Sequence, residues 1–295
     1  MNVRSRLMLM EKTMSESAPI KIRITEVGPR DGLQNEPNIV STSQKISLVD
    51  ALYAAGIPEI ETSSFVSPKW VPQLADAEEV FAGIKRRSGT VYSALVPNIR
   101  GMDRALSAGV MKIAIFTAAS ESFCNRNINA SFQESIERFI PVVKRAAEAG
   151  IPVRAYLSCI VKCPYEGDID PSAVSTAVER LLELGDVEID LGETLGVATP
   201  EHIEAVLEAT GKVLPLSETT LHLHDTNGRA LESVDVAVNM GVRSFDSACG
   251  GLGGCPFAEG AQGNLATEKL IAHCDVSGWF TGVDSTAVAS AASVL

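Results

Sequence analysis

The sequence predicts an α/β protein folded as a closed (β/α)8 barrel, the TIM barrel. One observation is a repeated segment in which an apolar-periodic helix stops at a glycine and a short strand with β-branched residues follows. A glycine just after a helix takes the left-handed conformation that ends it, and such strands suit a buried parallel sheet. A second observation is the length of 295 residues, a size that these barrels reach as one unit. The five glycines of the repeat are Gly56, Gly109, Gly150, Gly185 and Gly241.

Eight strands and eight helices are predicted to alternate along the chain. The strands are expected near 22–27, 59–63, 90–96, 112–117, 153–159, 187–191, 219–224 and 244–247. The helices are expected near 43–55, 75–87, 99–108, 132–149, 171–184, 200–211, 230–240 and 265–273. That count favours a closed barrel over an open doubly wound sheet, and no GxGxxG motif follows the first strand to indicate a dinucleotide site.

Composition excludes several classes of partner. The chain has 25 Lys and Arg against 37 Asp and Glu, a net charge of −12, and its basic residues form no dense cluster, so we expect no nucleic-acid partner. No apolar run approaches the length of a membrane span, so we expect no membrane partner. The six cysteines lack the paired CxxC spacing of structural zinc sites and do not resemble a secreted disulfide framework, which indicates a cytoplasmic protein.

The domain boundary is predicted near residue 20. Residues 1–19 have only a short apolar run behind a basic start and are expected to be a flexible lead-in. Residues 20–295 are then a single barrel domain.

Two of the four histidines, His222 and His224, stand two residues apart in an apolar-alternating segment. Side chains on a strand alternate between faces, so both imidazoles are predicted to point the same way. Such a pair can chelate a divalent metal from rigid backbone.

Other polar side chains are predicted to lie near this pair, because active sites of (β/α)8 barrels form at the C-terminal ends of the strands. These ends, and the loops after them, contain three acids, two arginines, two amides and a thiol in a glycine-rich segment. They are Arg30, Asp31, Glu61, Glu193, Asn227, Arg229, Cys255 and Asn264.

Seven motifs, in order, resemble those of the 3-hydroxy-3-methylglutaryl-CoA lyase family, and the likeness runs from about Ile22 to the C-terminus. The motifs are RDGLQNE at 30–36, SSFVSPKWVPQ at 63–73, NIN at 127–129, CPYEG at 163–167, HLHDT at 222–226, GLGGCP at 251–256 and GNLATE at 263–268. The resemblance implies a metal-dependent barrel lyase that acts on an acyl-CoA. It implies Mg²⁺ or Mn²⁺ bound by the residues that match the family's ligands, which are Asp31, His222, His224 and Asn264. It also implies catalytic roles for Arg30, Glu61 and Cys255.

The residue types suit this chemistry. A carboxylate, two imidazoles and an amide oxygen, with positions left for substrate oxygens, favour a six-coordinate Mg²⁺ or Mn²⁺ over a thiolate zinc site. A substrate hydroxyl that loses its proton can collapse to a ketone, which breaks the adjacent carbon–carbon bond and leaves a thioester enolate.

Each catalytic candidate has an expected role. Arg30 would stabilise the negative charge on the thioester oxygen, and Cys255 would protonate the enolate carbon. Either Asp31 or His222 would take the hydroxyl proton. Glu61 would orient the metal-site groups, or it would only hold its neighbours by salt bridges.

Departures from the family pattern concern the acid that the substrate carries. Glu193 stands where the family commonly has aspartate, and Asn227 and Arg229 stand in a run that is commonly Tyr-Gly-Gln. We therefore expect Glu193, Asn227 and Arg229 to contact the substrate together with Arg30.

The expected reaction is retro-Claisen cleavage of 3-hydroxy-3-methylglutaryl-CoA to acetyl-CoA and acetoacetate. One alternative is a lyase for citramalyl-CoA, which would give acetyl-CoA and pyruvate. A second is a condensing synthase of the isopropylmalate type, although such synthases lack the Cys255 loop. A third is a CoA- or metal-binding module without catalysis. The expected partners are the acyl-CoA substrate and a second copy of the chain in a homodimer.

Overall fold

The computed structural model describes residues 19–253 and 263–295. Eight parallel strands close into a barrel in which each strand pairs with its neighbours in chain order and the last pairs with the first. The predicted (β/α)8 barrel is therefore confirmed. In chain order, strands β1 to β8 are Arg23–Glu26, Glu59–Ser64, Val91–Leu95, Lys112–Ala118, Val153–Ser158, Val187–Glu193, Thr219–Leu223 and Ser244–Ser247. A small hairpin of Lys162–Cys163 and Gly167–Asp168 follows β5.

Helices surround the barrel. Each of the eight predicted helices is found, with bounds that differ from the prediction by up to four residues. In chain order, helices α1 to α10 are Thr42–Ala54, Ala77–Gly83, Ile99–Ser107, Glu121–Ile128, Phe132–Glu148, Pro171–Leu182, Pro200–Thr210, Ala230–Met240, Thr267–Val276 and Ser285–Ala292.

Two helices, α4 and α10, were not predicted. Both are eight residues long, and both begin at a side-chain cap. Ser120 accepts a hydrogen bond from the amide of Phe123 at the start of α4, and Asp284 accepts one from the amide of Ala287 at the start of α10. The polar sequence of α4 and the Ser- and Ala-rich sequence of α10 give weak apolar periodicity, which is the signal that the prediction relied on.

The five helix-ending glycines adopt the conformation that the sequence predicts. Their φ angles run from 67° to 137°, in the left-handed region where a Cβ is costly. Each helix therefore stops one turn before the next strand, which keeps the α and β elements alternating around the barrel.

Charged side chains fill part of the barrel interior. Arg154, on β5, is 1% exposed and contacts Glu59 on β2, Glu188 and Asp190 on β6, and Asp246 on β8. One side chain that reaches strands on several sides of the barrel must lie inside it. The apolar core includes Ile24, Ile60, Ile113, Ile189 and Phe245, all 0 % exposed.

The N-terminal residues 1–18, most of the predicted lead-in, lie outside the described residues. Across the ranges that the structure describes, no helix has both the length and the hydropathy needed to cross a membrane.

Gly150 offers a test of the helix-ending glycines. It follows α5 with φ of 67°, and a Cβ there would meet nothing within 4 Å, so its substitution tests backbone conformation alone. We expect Gly150→Ala to lower the free energy of unfolding by about 1 kcal/mol, and Gly150→Asn to lower it less, because asparagine tolerates the left-handed region. Urea unfolding of the three proteins measures this. An alanine variant as stable as the wild type would contradict it.

Candidate active site

The turn after β1 carries two of the predicted residues, Arg30 and Asp31. It spans Gly28–Gly32 and is a single π-helical turn. The carbonyl of Val27 accepts hydrogen bonds from the amides of Arg30, Asp31 and Gly32 at 2.8 to 3.1 Å. This shared acceptor holds both charged side chains at the C-terminal end of the barrel.

The histidine pair lies at the C-terminal end of β7. The rings of His222 and His224 have centroids 5.3 Å apart, as expected for two side chains on one face. Beyond β7, His224 pairs through its backbone with Asn264, and the amide of Leu265 donates to the carbonyl of Leu223 at 2.9 Å. This pairing brings Asn264 beside the histidines although 40 residues separate it from His224 in the chain.

The four predicted metal ligands come together. One ligand atom each from Asp31, His222 and His224 lies within 4.8 Å of the other two. Asn264 Nδ2 donates to Asp31 Oδ2 at 2.9 Å and to the Leu252 carbonyl at 3.0 Å. We call Asp31, His222, His224 and Asn264 the ligand cluster.

Two buried atoms of the ligand cluster have no hydrogen-bond partner among residues 19–253 and 263–295. They are His224 Nδ1 and Asn264 Oδ1. Buried polar atoms are costly when unpaired, so such orphans indicate a missing ligand. A carboxylate, two imidazole nitrogens and an amide oxygen fit a hard divalent cation.

The surroundings of Asp31 and His224 favour the forms of these two side chains that bind metal. Burial opposes ionisation of Asp31, but the neighbouring Arg30 and then the two histidines outweigh it and lower the pKa of Asp31 to about 2. Burial, followed by the proximity of His222, lowers the pKa of His224 to about 4. At neutral pH the cluster therefore presents a carboxylate and a neutral His224 imidazole, and metals need ligands in these states.

Arg30 joins the ligand cluster to Glu61. Its Nε donates to Glu61 Oε2 at 2.6 Å and its NH1 donates to Asp31 Oδ1 at 2.5 Å. Tyr156, on β5, donates its hydroxyl to Glu61 Oε2 at 3.1 Å, and the Arg30 guanidinium lies 5.3 Å from the Tyr156 ring centroid. Tyr156 was not predicted as a site residue. Its position on the same face of β5 as Arg154 is the one signal that the sequence offers, because side chains two residues apart on a strand share a face.

Glu26 was also missed, although it ends β1. Its carboxylate is buried and accepts hydrogen bonds from the amides of Gly28 at 2.8 Å and Cys249 at 2.9 Å, and from the Thr267 hydroxyl at 2.7 Å. Burial raises the pKa of Glu26 to about 7. Glu26 therefore ties the turn that carries Arg30 to the segment that follows β8.

The segment after β8 approaches the ligand cluster closely at Gly253. A Cβ on Gly253 would lie 2.7 Å from Asn264 Nδ2 and 3.2 Å from the Cα of Gly32, and its φ is 98°. Only glycine fits this contact. Cys255, two residues further on, lies outside the described residues, so its catalytic role stays a prediction.

The predicted substrate residues differ in position. Glu193 is buried at the end of β6 beside His222, and burial raises its pKa to about 7. Asn227 is exposed in the loop after β7. Arg229 donates to Glu232 at 2.7 and 3.0 Å in the first turn of α8. The structure thus brings Glu193 beside the ligand cluster, whereas the contacts of Arg229 are with a surface carboxylate.

Comparisons with known proteins agree with this geometry. The HMGL-like family model matches residues 21–295. The chain is 49% identical over 266 residues to the human mitochondrial hydroxymethylglutaryl-CoA lyase, with 90% of this chain and 82% of the relative covered. It is 47% identical over 273 residues to the 3-hydroxy-3-isohexenylglutaryl-CoA/hydroxy-methylglutaryl-CoA lyase of Pseudomonas aeruginosa, with 92% and 91% covered.

A solved structure is also similar. The crystal structure of hydroxymethylglutaryl-CoA lyase from Pseudomonas aeruginosa superposes with a TM-score of 0.91 at 46% identity. The superposition covers 94% of this chain and 92% of that one. The likeness therefore extends over the whole barrel.

Glu26 predicts a pH dependence of stability. Its pKa is about 7 in the folded protein and near 4.5 in the unfolded chain, so the folded state holds the extra proton between these values. The stability from protonated Glu26 is complete below pH 4.5 and is lost as the pH rises through 7, a decrease of up to about 3 kcal/mol.

Glu26→Gln, which mimics the protonated acid, should remove this part of the pH dependence. Urea unfolding between about pH 5 and pH 8 measures it. Glu208→Gln, the same change at an exposed residue of α7, is the control and should behave as the wild type. Parallel wild-type and Glu26→Gln profiles would contradict the assignment.

Proposed function

Since this chain belongs to the HMGL-like family, we propose that it cleaves 3-hydroxy-3-methylglutaryl-CoA to acetyl-CoA and acetoacetate at the C-terminal mouth of the barrel. The observation that carries the proposal is the convergence of Arg30, Glu61 and the ligand cluster on one buried site. Identities of 47% and 49% to named lyases over at least 90% of the chain support the same reaction.

The ligand cluster would hold a divalent cation, and we propose Mg²⁺ or Mn²⁺ because its donors are mainly hard. When bound, such a cation supplies Lewis-acid polarisation to the substrate oxygens that complete its shell.

The reaction breaks the bond between C2 and C3 of the acyl-CoA. The C3 hydroxyl gives its proton to Asp31 or His222, both members of the ligand cluster. The C2–C3 electron pair then moves toward the thioester and forms an enolate, while C3 becomes the ketone of acetoacetate. A proton delivered to C2 by Cys255 completes acetyl-CoA.

Arg30 would stabilise the enolate. Its guanidinium carries a permanent positive charge and is held by Asp31 and Glu61 with the Tyr156 ring beside it. A fixed charge in a buried site stabilises a developing anion without reorganisation. Glu61 and Tyr156 therefore serve this step through the position of Arg30.

The acid that the substrate carries would be selected by Glu193 and the loop after β7, which includes Asn227 and Arg229. The name of the relative from Pseudomonas aeruginosa covers a longer 3-substituent, so a 3-branched glutaryl-CoA with an isohexenyl group is an alternative substrate. We also propose a cytoplasmic location, in keeping with the cysteine pattern, and a homodimer as the assembly to be tested.

The substrate assignment predicts selective turnover. With Mn²⁺ present, the protein should release acetoacetate from 3-hydroxy-3-methylglutaryl-CoA faster than it releases pyruvate from citramalyl-CoA. Coupled assays of the two keto acids measure this, and the isohexenyl analogue is a third arm. Faster turnover of citramalyl-CoA or of the isohexenyl analogue would contradict the substrate assignment. Failure to cleave any of the three substrates would contradict the lyase assignment.

The catalytic roles predict two variants that separate metal binding from turnover. Arg30→Gln and Cys255→Ser should lower kcat by about 10²- to 10³-fold while Mn²⁺ still binds, because each removes a group that acts on the enolate. Steady-state kinetics and Mn²⁺ titration measure the two properties. Arg145→Gln, at a half-exposed arginine with weak ion pairs 3.8 Å long, is the matched control. Wild-type turnover in either variant would contradict its role.

A further inference from the structure

His222 has two ring nitrogens, and only one faces the ligand cluster. Its Nε2 lies 4.0 Å from Asp31 Oδ2, on the cluster side. Its Nδ1 lies 3.2 Å from Asp246 Oδ2, on the opposite side. Asp246 is the residue paired with His222 in the register of β8 and β7, so the backbone itself sets this contact.

Asp246 is anchored from inside the barrel. Its side chain is 0% exposed, and Arg154 NH1 donates to its second oxygen, Oδ1, at 3.0 Å. Arg154 is in turn held by the Thr25 hydroxyl at 3.0 Å and by Glu188 at 2.8 Å. One oxygen of Asp246 therefore serves Arg154 and the other serves His222.

A second buried carboxyl group, Asp190, lies beside Asp246. Burial, with the nearby charge of Asp246, raises the pKa of Asp190 well above its ordinary value. Arg154 NH1 is 3.5 Å from Asp190 and 3.0 Å from Asp246. Asp190 is thus part of the same buried group without touching His222.

We propose that Asp246, anchored by Arg154, is a positioning residue that accepts the Nδ1 proton of His222 and so holds the Nε2 lone pair toward the cation. The inference rests on the proposed function, because it assumes that His222 binds the metal. With both His222 nitrogens engaged in this way, Asp31 is the remaining candidate to take the hydroxyl proton. A histidine ligand commonly donates its other N–H to a carboxylate, which fixes its tautomer and orientation.

Asp246→Asn tests the role with little change of shape. The asparagine amide can donate to His222 Nδ1, which moves the ring proton to Nε2 and blocks the lone pair. We expect the Mn²⁺ Kd to rise about 10- to 100-fold, as measured by the electron paramagnetic resonance signal of free Mn²⁺. Asp190→Asn is the matched control. It makes the same acid-to-amide change in a neighbouring buried residue that does not contact His222, and it should leave the Kd unchanged. His224→Ala should lose Mn²⁺ binding, and it serves as the reference for a protein without a metal site.

A second measurement needs neither metal nor turnover. The chain has four histidines, so 15N-histidine labelling gives few ring signals to assign. In the metal-free wild type at alkaline pH, His222 should carry its proton on Nδ1, and in Asp246→Asn on Nε2. A structural role for Asp246 would change unfolding curves without moving this proton. If Asp246→Asn does not fold, the wild-type spectrum alone still shows which His222 nitrogen carries the proton.

The outcomes separate the two ideas. An Nε2–H tautomer in a wild type that binds Mn²⁺, or an unchanged Kd in folded Asp246→Asn, would overturn the role of Asp246 alone. A wild type that binds no Mn²⁺ would overturn the proposed metal site and, with it, this role.

Discussion

The site depends on one buried cation, Arg30, between two carboxylates. Glu61 is fully buried and the Asp31 side chain is 17% exposed, and both carboxylates accept hydrogen bonds from the guanidinium. Against the effect of burial, Arg30 is the largest influence that keeps the pKa of Asp31 low. Without that charge the pKa of Asp31 would rise, and a protonated Asp31 would be a poor ligand. The same ion pairs hold Arg30 where the proposed enolate forms, so metal binding and anion stabilisation share a single electrostatic arrangement.

The barrel makes this arrangement rigid by drawing it from several strand ends. The ligand cluster combines residues from the turn after β1, the end of β7 and the segment after β8. Glu26 hydrogen-bonds to the segment after β8, and Asp246 hydrogen-bonds to His222 on β7. Hydrogen bonds to buried side chains on strands fix the positions of metal ligands more closely than contacts with loop residues would. Hydrogen bonds through Asp246 thus connect Arg154, inside the barrel, to His222 at the mouth.

The limits of the sequence prediction have physical causes. Helix-ending glycines and apolar periodicity located every barrel strand, because both signals are local. Helices α4 and α10 were missed because they are short and show little apolar periodicity, so their side-chain caps are the main local signal. Tyr156, Glu26 and Asp246 were missed because their polar partners lie on other strands or in distant segments, and nothing near them in the sequence indicates those contacts. The substrate contact of Arg229 stays a prediction, and the structure adds that its guanidinium donates to Glu232, three residues away.

The sequence by itself determined the alternation of helices and strands, the shared face of His222 and His224, and the position of Asp31 and Asn264 beside them. Strand periodicity and the left-handed preference of glycine act within a few residues, so they can be deduced from order alone. Only the tertiary structure decided which nitrogen of His222 faces the cluster, which carboxylates Arg30 neutralises and which buried acids keep their protons. These properties depend on distances between side chains far apart in the chain, and on how completely the closed barrel removes them from water.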